Sequence, residues 1–137
     1  LDRNLYAPVS NCDKGGYVIA DCEGSPDVIL MGSGSELGLC VEAAKELSAG
    51  GTKVRIISMP CMDLFADQSP EYRESVLPSS VTNRVAVEAG IRMSWDRWLG
   101  LDGKFVGMHG YGASGPYTEV YKHFNITTEA VIAAAKA

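Results

Sequence analysis

The chain is poor in the residues that most catalytic and metal sites need. Among 137 residues there are two histidines, His109 and His123, and four cysteines, Cys12, Cys22, Cys40 and Cys61. The cysteines stand 10, 18 and 21 residues apart, so no C-x-x-C pair is present to suggest zinc or a dithiol redox centre. No secretory h-region is expected at the N-terminus, and Cys40 falls inside a helical pattern. The four are therefore read as free thiols in a reducing compartment. Basic clusters are missing too: twelve Lys and Arg are scattered against seventeen Asp and Glu, for a net charge of −5. That balance speaks against nucleic acid and anionic membrane as partners. Apolar runs are only a handful of residues long, far short of the roughly 20 that span a bilayer. A soluble chain is expected, and its length suits one domain around a single core.

What is present is rhythm. Residues 1–14, LDRNLYAPVSNCDK, have no period and read as a linker or ordered arm. From Gly15 onward, strand candidates alternate with helix candidates. The strands are YVIA (17–20), VILM (28–31), KVRIISM (53–59), RVAVEAG (84–90) and KFVGM (104–108). VILM is apolar without alternation, as befits a strand covered on both faces. Between them, Leu37, Cys40, Val41, Ala44 and Leu47 share one helix face, and Gly50 and Gly51 close that helix. Ser69, Pro70 and Glu71 read as an N-cap, an N1 proline and a first-turn acid, and Pro78 ends the helix they open.

A short helix carries Trp95 and Trp98 and closes at Gly100. Pro116 opens a helix with Tyr117, Val120, Tyr121 and Phe124 on one face, and Thr127 caps a terminal helix. The resulting expectation is an α/β fold: a three-layer α/β/α sandwich on a five-stranded, mostly parallel sheet with right-handed crossovers. Its first strand is placed at an edge, where an antiparallel direction is open.

In such a sheet ligands sit beyond the carboxyl ends of the strands. Two glycine and serine turns occupy that position, Gly32 to Ser35 and Gly110 to Gly115. Gly32 and Gly34 begin a dinucleotide pattern, but Leu37 stands where its third glycine belongs, and no G-K-[ST] ending makes a P-loop. Ser33 and Glu36 have the S-x-x-E spacing of a capping box, which accounts for both without a ligand. The helix N-terminus they open would still favour an anion, so Gly32, Ser33, Gly34, Ser35 and Ser114 form a candidate regulatory anion site.

Glu88, at a strand end, is a candidate general base whose plainer reading is a hydrogen-bonded or interface residue. His109, in a loop at a strand end, could serve acid-base chemistry, whereas His123 reads as a solvent-side helix residue. Ser33, Ser35 and Ser114 fail the G-x-S-x-G nucleophile pattern. Trp95, Trp98, Tyr111 and Tyr117 read as core or interface aromatics. No catalytic constellation emerges from the residues alone, and no metal site.

Taken together, GGYV (15–18), GSGSE (32–36), VRIISMP (54–60), FADQSPEYRESVLP (65–78), RVAVEAG (84–90), GYGASGP (110–116) and HFNIT (123–127) resemble the C-terminal domain of transketolases. The resemblance covers about 120 of the 137 residues, and LDRNL is similar to the family's linker pattern L-x-R-Q-x-L. It places a linker at 1–14 and the domain at 15–137. Related thiamine enzymes, the pyruvate dehydrogenase β subunit and deoxyxylulose phosphate synthase, end in the same type of domain, and SVLP and VEAG favour transketolase over them.

The resemblance implies a subunit that moves a two-carbon ketol unit between ketose and aldose phosphates. Thiamine diphosphate and a divalent metal, Mg or Ca, would be held by other domains, with active sites between the subunits of a homodimer. Catalytic residues would lie in those other domains and none in this chain, which would pack on them, contribute to the dimer and offer a regulatory ligand site. A cytoplasmic location follows, or a plastid one in a plant or alga. Two departures are visible: YGASGP (111–116) for the family's F-G-x-S-A-P, and FNIT (124–127) for F-G-x-T. The reading that competes with this one is a stand-alone α/β module holding a phosphorylated regulator at Gly32–Glu36 and Gly112–Pro116.

Overall fold

The computed structural model describes residues 9–108 and 126–137. A 3-10 helix over Val9–Lys14 leads into five strands: β1 (Tyr17–Ala20), β2 (Val28–Gly32), β3 (Val54–Ser58), β4 (Arg84–Ile91) and β5 (Lys104–Met108). They form one sheet in the order β1-β3-β2-β4-β5. β1 is an edge strand and runs antiparallel to β3, with Tyr17 opposite Ser58, and the other pairings are parallel. The helices are α1 (Leu37–Ala49), α2 (Met62–Ala66), α3 (Pro70–Val76), α4 (Asp96–Leu99) and α5 (Thr128–Lys136). The expected helix with Tyr117, Val120, Tyr121 and Phe124 lies outside the described residues, as do His109, His123 and Ser114.

Because side chains alternate along a strand, a central strand feeds two cores. Val28 and Leu30 join Leu37, Cys40, Val41 and Leu47 of α1 and Val131 and Ala135 of α5 on one face. Ile29 and Met31 join Phe65, Val76, Trp95, Trp98 and Leu99 on the other. Every residue of β2 is buried. This is the three-layer α/β/α sandwich that continuous apolar runs imply.

Local signals set the helix ends. Ser69 Oγ accepts from the Tyr72 amide at 3.1 Å, and Thr127 Oγ1 accepts from the Ala130 amide at 3.1 Å. Each such cap contributes ~1 kcal/mol. At the end of α1 the left-handed glycine is Gly51, at φ 93°, while Gly50 keeps φ −86°. The Gly51 amide donates to Ser48 O and the Thr52 amide to Leu47 O, the paired bonds of a Schellman motif. Gly15 is needed for a different reason. Its φ is +80°, and a Cβ there would lie 2.3 Å from Cys61 O and 2.4 Å from Phe65 N. Only glycine lets the entry to β1 press against the β3–α2 connection.

Candidate functional site

The carboxyl ends of β2 and β4 carry the residues the sequence singled out. β2 ends at Gly32, whose carbonyl accepts from the Met59 amide at 2.9 Å. Ser33 is extended, at φ −141° and ψ 155°. Gly34 to Glu36 then form a 3-10 turn, and α1 begins at Leu37.

The expected capping box is not formed: the Ser33 side chain makes no cap hydrogen bond. The reason lies in Gly34. A capping box needs right-handed helical dihedrals at the residue after the cap, and Gly34 has φ +59°. The turn therefore enters α1 through glycine, with no help from the serine hydroxyl. Glu36 is buried at this turn, 9% exposed. Cys40, one turn further along α1, is fully enclosed. Its thiol pKa is pushed up to about 12, first by burial and then by the nearby Glu36 carboxylate. A thiol so strongly protonated is no nucleophile. All four cysteines are free.

Glu88 sits one residue beyond Val87 on β4 and is half-buried. Trp95 Nε1 donates to Glu88 Oε2 at 2.6 Å. This is a short, charge-assisted bond from an indole with no exposed surface. The hydrogen-bonded reading of Glu88 thus holds, and its partner is a core tryptophan rather than an acid-base group. Trp98 is also in the core, edge-on to Phe65 with ring centroids 5.0 Å apart. Neither tryptophan offers an interface face. Among the described residues, the exposed large apolar side chains are Leu64, Met93 and Leu101. These three are scattered singly, as on any protein surface. Tyr111 and Tyr117 lie outside the described residues.

Of the proposed anion-site residues, the structure brings together Gly32, Ser33, Gly34 and Ser35 in one turn, while Ser114 lies outside the described residues. Among the described residues no three His, Cys, Asp or Glu side chains converge as a metal would require. Sequence reading missed one feature, a cleft that gathers Arg73, Arg84 and Arg97 from three different elements. Their spacings of 11 and 13 residues carry no local signal.

Comparison with known proteins agrees with this architecture. A family model described as "Transketolase-like TK C-terminal domain" matches residues 15–127. The chloroplastic transketolase of Solanum tuberosum is 51% identical over 130 residues, covering 93% of this chain and 18% of that protein. Transketolase 2 of Aliivibrio fischeri is 49% identical over 128 residues, covering 93% of this chain and 19% of its own length.

Among solved structures, the transketolase of Leishmania mexicana superposes with a TM-score of 0.86 at 38% identity, covering 95% of this chain and 18% of that one. A Pichia stipitis transketolase in complex with sedoheptulose-7-phosphate superposes at 0.84 with 32% identity, covering 96% and 19%. The chain thus spans about a fifth of the length of these relatives. With the sheet order, the two-sided core and the matched residues in agreement, the chain belongs to the transketolase family, as its C-terminal domain.

Proposed function

We propose that this chain is the non-catalytic C-terminal domain of a transketolase subunit. The whole subunit transfers a two-carbon ketol unit from a ketose phosphate to an aldose phosphate. The observation that carries this reading is the match over residues 15–127 to a domain that makes up only about a fifth of full transketolases. The sedoheptulose-7-phosphate complex of the Pichia stipitis relative supports a ketose phosphate as the substrate class.

Thiamine diphosphate with Mg or Ca, bound by the remaining domains, would supply the carbanion-stabilising chemistry of that transfer. What these residues contribute is a rigid body: a sheet sealed on both faces, with its tryptophans turned inward. Its partners are the remaining transketolase domains and the second subunit of a homodimer. The turn at Gly32, Ser33, Gly34 and Ser35, with Ser114, is the place for a small anionic regulator. Its support is its position at the carboxyl end of the central strand, at the start of α1.

The test is a ketol-transfer assay. These 137 residues alone, with thiamine diphosphate and Mg, are expected to give no transfer, and the subunit that includes them is expected to give it. Transfer by the 137 residues alone would overturn the reading.

A further inference from the structure

On the face of the sheet opposite α1, α3 brings Arg73, the first residue of β4 brings Arg84, and the segment of α4 brings Arg97. They surround a cleft of about 330 Å³ whose wall includes Phe65, Leu77 and Trp98 and whose rim includes Glu74. That volume lies at the lower end of small-ligand sites. The chain carries a net charge of −5, yet three guanidinium groups here meet one carboxylate.

These cations differ in what they already hold. Arg84 is fixed by three carbonyls: Nε donates to Val81 O at 3.0 Å, and its terminal nitrogens donate to Trp98 O at 2.7 Å and Pro78 O at 2.9 Å. Burial lowers its pKa, and Glu74 partly offsets that. Arg97 lies over the Trp98 ring, 4.6 Å from the centroid, so its charge is held against an aromatic face. The Nε of Arg73 is buried and has no hydrogen-bond partner among the described residues. Glu74, the carboxylate at the rim, is turned to Ser79 instead, accepting from its amide at 2.9 Å and its hydroxyl at 2.8 Å. Among the described residues, two arginines at the cleft are therefore without a carboxylate partner, beside a third that is locked in place.

An uncompensated guanidinium fork fits a tetrahedral oxyanion with two parallel N–H donors, and neighbouring forks reinforce the local positive potential. We propose that the Arg73, Arg84 and Arg97 cleft binds a phosphoryl group, free or as a small monoester. Arg73 and Arg97 grip its oxygens, and Arg84 forms the fixed, positively charged wall. The site is separate from the turn at Gly32. β2 and β4 run parallel with Ile29 beside Arg84 and Gly32 beside Val87, so Arg84 enters the sheet at the end away from that turn.

The experiment is calorimetric titration of the complete polypeptide with inorganic phosphate and, in parallel, with glycerol phosphate. Heat is expected below about 10 mM ligand. Tighter binding of glycerol phosphate would assign the site to esters, and equal binding to the free ion. Both support the proposal. Arg73→Gln and Arg97→Gln should each weaken binding about tenfold. Neither side chain donates a hydrogen bond to another described residue, so thermal midpoints should change little. Arg73→Lys should weaken binding less than Arg73→Gln, because it keeps the charge and loses the fork.

Glu74→Gln should tighten binding a few-fold by removing the like charge at the rim. Ser33→Ala with Ser35→Ala should leave it unchanged. No heat with either ligand, or heat that survives the Arg73→Gln/Arg97→Gln pair, overturns the proposal. Heat lost only in the serine variants overturns it as well and places the anion at the turn instead.

Discussion

Glu88→Ala tests the placement of Glu88 most directly. In the folded chain its Oε2 accepts the Trp95 Nε1 proton at 2.6 Å, and Trp95 has no exposed surface. Truncation removes a charge-assisted bond and leaves an indole N–H buried without that acceptor. Such an orphaned donor costs about 1–3 kcal/mol, and bonds to charged groups stand at about 1.5–3 kcal/mol. A loss of about 2 kcal/mol is expected. For a domain of this size, that lowers the thermal midpoint by several degrees.

Glu88→Gln keeps an acceptor without the charge and should cost roughly half as much. Trp95→Phe removes the donor and adds a cavity cost of its own, so the pair is best read as a double-mutant cycle. Glu88→Ala made on Trp95→Phe should cost at least about 1 kcal/mol less than on the native chain. Urea unfolding followed by far-ultraviolet circular dichroism gives all four corners, and it avoids a fluorescence signal that the substitution itself alters. A Glu88→Ala variant as stable as the parent, or a cycle that sums to zero, would refute the structural role. Glu88 would then be a free carboxylate at a strand end.

Gly15→Ala must fit a Cβ 2.3 Å from Cys61 O at a φ of +80°. It should cost more than about 3 kcal/mol and lower soluble yield, and a loss below about 1 kcal/mol in urea unfolding would contradict the close approach. Ser69→Ala and Thr127→Ala should each lose ~1 kcal/mol and add together, whereas Ser33→Ala should change stability by less than about 0.5 kcal/mol, since its hydroxyl caps nothing. Equal losses at all three serine and threonine positions in parallel thermal melts would restore the capping box. Cys40 titrates near 12 when folded, against an ordinary value of 9.0. The folded state therefore holds this proton more tightly than the unfolded chain does. Its contribution to stability is complete below pH 9.0 and is lost as pH rises toward about 12. Cys40→Ala should flatten that alkaline limb while lowering stability at neutral pH through the cavity it leaves; an unchanged limb would show that the thiol is not enclosed.

Much of this domain is written locally. The five strands, the opening of α3 at Ser69 and Pro70, and the opening of α5 after Thr127 were readable because period, caps and proline act within a few residues. The edge position of β1 was readable too, and so was the covered middle strand, since only a doubly buried strand is apolar at every position. The five-residue helix α2 escaped because it carries neither a cap bond nor a full apolar period.

The failed capping box shows the limit more sharply. The S-x-x-E spacing was correct, but the φ of Gly34 is set by how β2 hands over to α1, which no four-residue pattern records. The same holds for the pairing of Glu88 with Trp95, for the enclosure of Cys40 against Glu36, and for the meeting of three arginines from three elements. Sequence alone determined the five strands, the capped openings of α3 and α5 and the family they compose, because those depend on neighbours along the chain. Which polar groups meet, and which are left without a partner, depends on neighbours across the sheet, and only the tertiary structure decided that.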